Sequence, residues 1–187
     1  MAEKRARWHE HLAGEPVAGL VFVDESGANT KMTRLRGRAL GGRRVLARIP
    51  HGHYQTSTLI SGIRCTGPCA PWLFQGPMNG EMFLAWVAQA LAPTLREGDV
   101  VILDNLATHK IRGVREALEA VGARLLYLPP YSPDFNPIEP MWSKIKQILR
   151  SQAPRTEEGL LLAAKTAFQS ISPADCKGFF LSARCAT

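Results

Sequence analysis

Two short apolar runs, each closing on an aspartate, constrain this chain more than any other feature. They are VAGLVFVD (17–24) and DVVILD (99–104). Neither run has a polar face, so each reads as a strand buried on both sides, in a sheet that helices cover. RLLYLP (124–129) is a third run of this kind. Helical patterns separate and follow these strands. NGEMFLAWVAQALA (79–92) starts at an Asn cap and closes before Pro93. Residues 110–121 read as a helix that Gly122 stops. Further helices are expected from 137 to about 150, over 156–170 and over 173–182. Alternation of this kind predicts a parallel or mixed sheet flanked by helices.

Ahead of the second acid run, strands are predicted at 17–24, 31–37, 44–49 and 56–63, punctuated by glycines. Strands in quick succession argue for an antiparallel meander that feeds the sheet. Meander, helix, strand, helix, strand, helix is the order of an α/β, ribonuclease H-like mixed sheet flanked by helices. A doubly wound nucleotide-binding fold competes on pattern, but no Gly-rich phosphate loop follows either acid-ending strand. The 187 residues suit a single domain, with 1–16 as an N-terminal extension and 151–187 as C-terminal helices. No apolar run approaches the ~18 residues that would cross a bilayer, and MAEKRARWHEHL is no secretory leader. A cytoplasmic protein without a membrane partner is expected.

Charge narrows the partner. Lys and Arg number 23 against 16 Asp and Glu, a net +7. Between Glu25 and Glu81 there is no acidic residue, yet Lys31, Arg34, Arg36, Arg38, Arg43, Arg44, Arg48 and Arg64 fall there. Such a basic field attracts polyanions and supplies phosphate contacts without reading sequence. A solvated basic face without a partner explains the charge equally well. Of the four cysteines, Cys65 and Cys69 have the spacing of half a zinc site. Cys176 and Cys185 do not complete it, which favours reduced structural cysteines.

If the two acid-ending strands lie parallel and adjacent, Asp24 and Asp104 emerge at one end of the sheet, where open α/β sheets place ligands. Either aspartate alone reads more readily as a turn former or helix cap. Paired, they repel unless a cation or proton lies between them. The segment LPPYSPDFNPIEPMWSKIKQILR supplies a third acid. Asn136 is a natural cap, Pro137 suits the first helical position and Glu139 falls at the third. Glu139 could simply close a capping box. However, Ile138, Met141, Trp142, Ile145, Ile148 and Leu149 form the buried stripe, and Glu139, Ser143, Lys146 and Arg150 recur on the opposite face. An acid heading a row that ends in two cations suits a surface meeting metal at one end and phosphates along the rest. Three carboxylates match Mg²⁺ or Mn²⁺. Two such ions about 3.5–4 Å apart serve in-line phosphoryl substitution.

Three segments together resemble a known family: DES (24–26), LAPTLREGDVVILDNLATHK (91–110) and LLYLPPYSPDFNPIEPMWSKIK (125–146). They are similar to the insertion-sequence-630 family of bacterial transposases, relatives of the mariner transposases, which carry a DDE triad. Asp104 and Glu139 are separated by 34 residues, as expected of that branch. The resemblance implies catalytic and metal-holding roles for Asp24, Asp104 and Glu139, with Glu25, Asn105 and His109 in support. His109 could orient a phosphate, scaffold its loop or be an ordinary loop histidine. Lys31, Arg34, Arg36, Arg38, Lys146 and Arg150 are the candidate DNA-binding cations. The ending FFLSARCAT departs from the Gly-Tyr ending of the family.

The activity implied is metal-dependent DNA cleavage and strand transfer on element ends and target DNA, near the bacterial nucleoid, with homodimerisation open. Such enzymes read terminal inverted repeats through helix-turn-helix modules. Nothing before residue 17 can form one, so an upstream segment from an overlapping reading frame is expected to supply it. Two alternatives remain: a ribonuclease H-like nuclease that does not transpose, and an inactive relic that binds DNA without sequence preference.

Overall fold

The structure, a computed structural model, describes residue 5 and residues 7–46, 48–52 and 54–185. Part of the expected N-terminal extension, Ala47 of the expected 44–49 strand and the last two residues of the C-terminal region lie outside the described residues. Five strands form one sheet in the order β3-β2-β1-β4-β5. They are β1 (Leu20–Asn29), β2 (Thr56–Arg64), β3 (Gly67–Gln75), β4 (Val100–Leu103) and β5 (Arg124–Tyr127). The first three make an antiparallel meander, and β4 and β5 add on parallel to β1. This is the mixed sheet expected from the sequence.

The pleat of β1 sorts its side chains between two cores. Leu20 and Phe22 face one way, against α4 (Ile138–Gln152), α5 (Glu157–Gln169) and α6 (Pro173–Ser182). There Phe22 meets the edge of Phe180 at 5.6 Å between ring centroids. Val21 and Val23 face the other way, against α2 (Gly80–Trp86) and α3 (Val114–Glu119). Each of these large side chains, buried whole, contributes roughly 1.5–3 kcal/mol, which is why a strand apolar on both faces requires helices on both. A short helix, α1 (Trp8–Leu12), adds the buried Trp8 to the first core.

Helix boundaries follow capping chemistry. Asn79 caps α2 by accepting from Met82 N at 2.8 Å. Thr156 caps α5 through Gly159 N at 3.0 Å, and Ser172 with Asp175 closes a capping box on α6. The helix predicted over 79–92 leaves α geometry at Val87, passing through a π turn and then a 3-10 turn to Thr94. The predicted 110–121 helix is shorter, because residues 107–110 form a separate 3-10 turn. No helix among the described residues is long and apolar enough to cross a membrane.

Two expectations are corrected. Residues 31–37 and 44–49 are not strands: the described part of this stretch is irregular apart from a 3-10 turn at Leu40–Gly42. Leu35, Leu40, Leu46 and Ile49 remain between 73% and 93% exposed. Arginines interrupt each segment, so neither can offer a continuous apolar face to bury. The third strand of the meander is instead β3, which follows the turn at Cys65 and Thr66 and itself carries Cys69. All four cysteines are free, with Cys176 and Cys185 in the core beneath α4. The second correction concerns Asp24. Strand β1 continues five residues past it, pairing Asp24 with Ser61 and Glu25 with Ile60 of β2, so this acid stands within a strand and not at its end.

Candidate active site

Register brings the first two acids level. In the parallel β1–β4 pairing, Leu20, Val21 and Phe22 lie opposite Val100, Val101 and Ile102. Two residues further on, Asp24 and Asp104 stand side by side, the first still in its strand and the second just beyond β4. By alternation both follow Phe22 and Ile102 toward the face that α4 covers. Glu139, exposed in the first turn of α4, reaches the same place. All three acids line one cavity of about 420 Å³, together with Asn105, Leu106 and the loop 128–133.

Capping does not engage Glu139 as a box would require. The Asn136 side chain accepts from Ile138 N at 3.3 Å, but the Asn136 N–H already donates to Pro133 O at 3.0 Å. That leaves no donor for the Glu139 carboxylate to receive. The buried stripe of α4 is Ile138, Met141, Trp142, Ile145 and Leu149, and Ile148 is only half-buried. Glu139, Ser143 and Lys146 line a second recess with Asp24, Glu25, Ser26, Gly27 and Trp142. Lys146 and Arg150 then line a third with Lys31, Asn29 and Tyr54. The row read from the sequence therefore runs from the acids to a cation-lined groove. Lys31 closes that groove, its Nζ 4.4 Å over the Tyr54 ring. Arg34, Arg36 and Arg38 are exposed on the irregular stretch beside it and do not line the acid cavity.

Glu25 faces the other side of the sheet and meets His109. This histidine is fully buried, with the Phe83 ring centroid 4.3 Å from its own. Its Nε2 is 2.8 Å from Glu25 Oε1, and its Nδ1 is 2.6 Å from Asp104 Oδ1, an ion-pair distance without hydrogen-bond alignment. Burial works against charging the ring, but the two carboxylates outweigh it and push its pKa up to about 9. Protonated on both nitrogens, His109 bridges Glu25 to Asp104. Burial would likewise raise Asp104, yet His109 and the Leu106 N–H, at 2.9 Å, hold its carboxyl below the usual range. Asn105 donates through Nδ2 to Leu128 O and accepts from Lys110 Nζ at 2.9 Å, tying the end of β4 to the loop after β5. Gly80 permits this packing: a Cβ there would sit 2.9 Å from Ile111 Cγ2, at the end of the turn that carries His109.

Asp24 has the opposite environment. Burial, then the neighbouring charges of Glu25, Glu139 and Asp104, push its pKa up to about 7. The site concentrates more negative charge than its one imidazolium offsets. An all-oxygen donor set with a surplus of negative charge fits a hard divalent cation, which Asp24, Asp104 and Glu139 could hold. Among the described residues, no three His, Cys, Asp or Glu side chains converge closely enough to enclose an ion as they stand. Like-charged carboxylates with no cation between them are expected to stay apart.

Sequence reasoning passed over Arg5 and Tyr131. Arg5 donates to Tyr131 O at 3.2 Å, to Ser132 Oγ at 2.8 Å and to both carboxylate oxygens of Asp134 at 3.0 and 2.6 Å. Its guanidinium also lies 4.4 Å over the Phe135 ring. Contacts spanning more than 120 residues leave no local sequence signal. Tyr131, an aromatic among prolines, could have been marked as a loop side chain without a place in the core.

The fold recurs in solved transposase structures. A pre-cleavage Mos1 transpososome superimposes with a TM-score of 0.79 at 16% identity, over 99% of this chain and 60% of that one. A Mos1 mariner paired-end complex with Mn gives 0.79 at 17%, over 99% and 60%. The isolated catalytic domain of Mos1 mariner transposase gives 0.71 at 16%, over 98% and 88%. The chain thus spans about 60% of the length of the transposase in the full assemblies. These likenesses establish the ribonuclease H-like fold. No curated protein sequence shows significant similarity. The profile of the DDE superfamily endonucleases matches residues 19–160, which include Asp24, Asp104 and Glu139, and the chain belongs to that family.

Proposed function

We propose that residues 1–187 form the catalytic domain of a DNA transposase, which cuts DNA strands and joins a 3′-hydroxyl end to target DNA. The observation that carries this reading is one cavity lined by Asp24, Asp104 and Glu139, adjoining a groove lined by Lys31, Lys146 and Arg150. Asp24, Asp104 and Glu139 would hold divalent ions, which would supply activation of the attacking oxygen and stabilisation of the leaving one. The chain's own residues do the rest. Lys146, Arg150 and Lys31 hold phosphates, and the exposed Arg34, Arg36 and Arg38 extend that contact. His109 is a positioning residue: anchored by Glu25 and shielded by Phe83, it keeps Asp104 ionised and in place. Asn105 fixes the loop beside it.

The finer partners follow the same reading. They are element-end and target DNA, an upstream helix-turn-helix segment that reads terminal repeats, a second copy of the chain, and the nucleoid as the place of work. The test is nicking and strand transfer on end-bearing oligonucleotides in Mg²⁺ or Mn²⁺. Asp104→Ala is expected to abolish both reactions while DNA binding persists. Nicking that survives Asp104→Ala refutes the site. Nicking without strand transfer leaves a nuclease, and binding without either reaction leaves a relic.

A further inference from the structure

Tyr131 lines the mouth of the acid cavity with 84% of its surface exposed. Its φ of 55° lies in the left-handed region, where a bulky side chain is an outlier. Both features are held in place from outside. Arg5 grips the Tyr131 carbonyl, Ser132 and Asp134 together, and Pro129, Pro130 and Pro133 stiffen the loop. An aromatic ring kept in water, on an unfavourable backbone conformation that its neighbours enforce, suits a ligand clamp at a functional site.

The ligand follows from what surrounds the ring. Glu139 lines two recesses, one with Ser143 and Lys146 and the other with Tyr131. Cations, and hence phosphates, belong to the first. A nucleotide whose phosphate lies at the acids with its backbone in the cation groove directs its base toward the opposite rim. A flat, apolar ring there recognises the π-face of a base, and only a base freed from its partner can present that face. We propose that Tyr131 is a stacking post for an unpaired base beside the phosphate at the acids, an inference that rests on the reading of the cavity as a DNA site. The favoured substrate is DNA that is frayed, nicked or mismatched at the cut.

The test uses the full chain and duplex oligonucleotides carrying 2-aminopurine, either fully paired or as a single unpaired base. The wild-type chain is expected to bind the unpaired form about tenfold more tightly and to quench its fluorescence. Tyr131→Ala should lose the preference and the quenching while binding paired duplex as before, whereas Tyr131→Phe and Tyr131→Trp should keep both. Should Tyr131→Ala misfold, Tyr131→Asn serves in its place, because asparagine tolerates the left-handed conformation. Equal affinity of the wild type for the two duplexes overturns the proposal and leaves the DNA reading intact. Loss of the preference in Tyr131→Phe assigns the contact to the hydroxyl and overturns stacking. A chain that binds neither duplex overturns both readings.

Discussion

Replacing Asp24 by Asn should stabilise the metal-free protein at pH 8 and leave it unchanged near pH 3. The side chains are nearly the same size, so the substitution removes the charge and little else. In the folded protein, burial and the carboxylates of Glu25, Glu139 and Asp104 push the Asp24 pKa from 3.8 up to about 7. Between these two values the folded state holds a proton that the unfolded chain has released. Folding is therefore progressively disfavoured as pH rises through that window, and the full penalty is present above pH 7. A shift of about three units at 1.36 kcal/mol each sets a ceiling of about 4 kcal/mol. Side-chain relaxation and water should roughly halve it, to about 2 kcal/mol, or about 4–8 °C in Tm for a chain of this length. Thermal unfolding of wild type and Asp24→Asn in chelator, from pH 3 to pH 8, measures the difference directly. The two Tm curves should coincide at the acid end and separate as pH rises, with the variant higher. Parallel curves across the range would show that Asp24 carries no electrostatic strain, and the argument for a cation at this site would lose its main support.

The remaining predictions are briefer. Millimolar Mg²⁺ or Mn²⁺ should raise the Tm of the wild type and narrow its gap to Asp24→Asn, since a ligand bound only by the folded state stabilises it; an equal response in both proteins would place the ion elsewhere. Lys146→Ala and Arg150→Ala should each flatten the log–log salt dependence of DNA affinity by about one unit, whereas unchanged slopes in both would show that this face of α4 does not touch DNA. Phe180→Ala should cost about 3–5 kcal/mol in urea unfolding, because the ring is wholly buried against Phe22; a loss below about 1 kcal/mol would mean that α6 does not close the core.

The buried strands that carry or precede the two aspartates, the helix after Asn136 and the face shared by Glu139, Ser143, Lys146 and Arg150 were all legible from the sequence, because burial and helical periodicity are local properties of the chain. So was the family, carried by short motifs and their spacing. Residues 31–37 and 44–49 misled because β propensity without an apolar face to bury cannot sustain a strand, and only the packed structure shows which segments find a covering layer. Tertiary structure alone decided the rest. The β1–β4 register set Asp24 level with Asp104. The pleat sent Glu25 to the far side of the sheet, where His109 joins it to Asp104 across 84 residues of sequence. Arg5 came to grip the loop of Tyr131 from the other end of the chain. Sequence determines which side chains can be buried, capped or charged. Which charges become neighbours is settled only when the strands pair, because electrostatic contact depends on distance in space and carries no period along the chain.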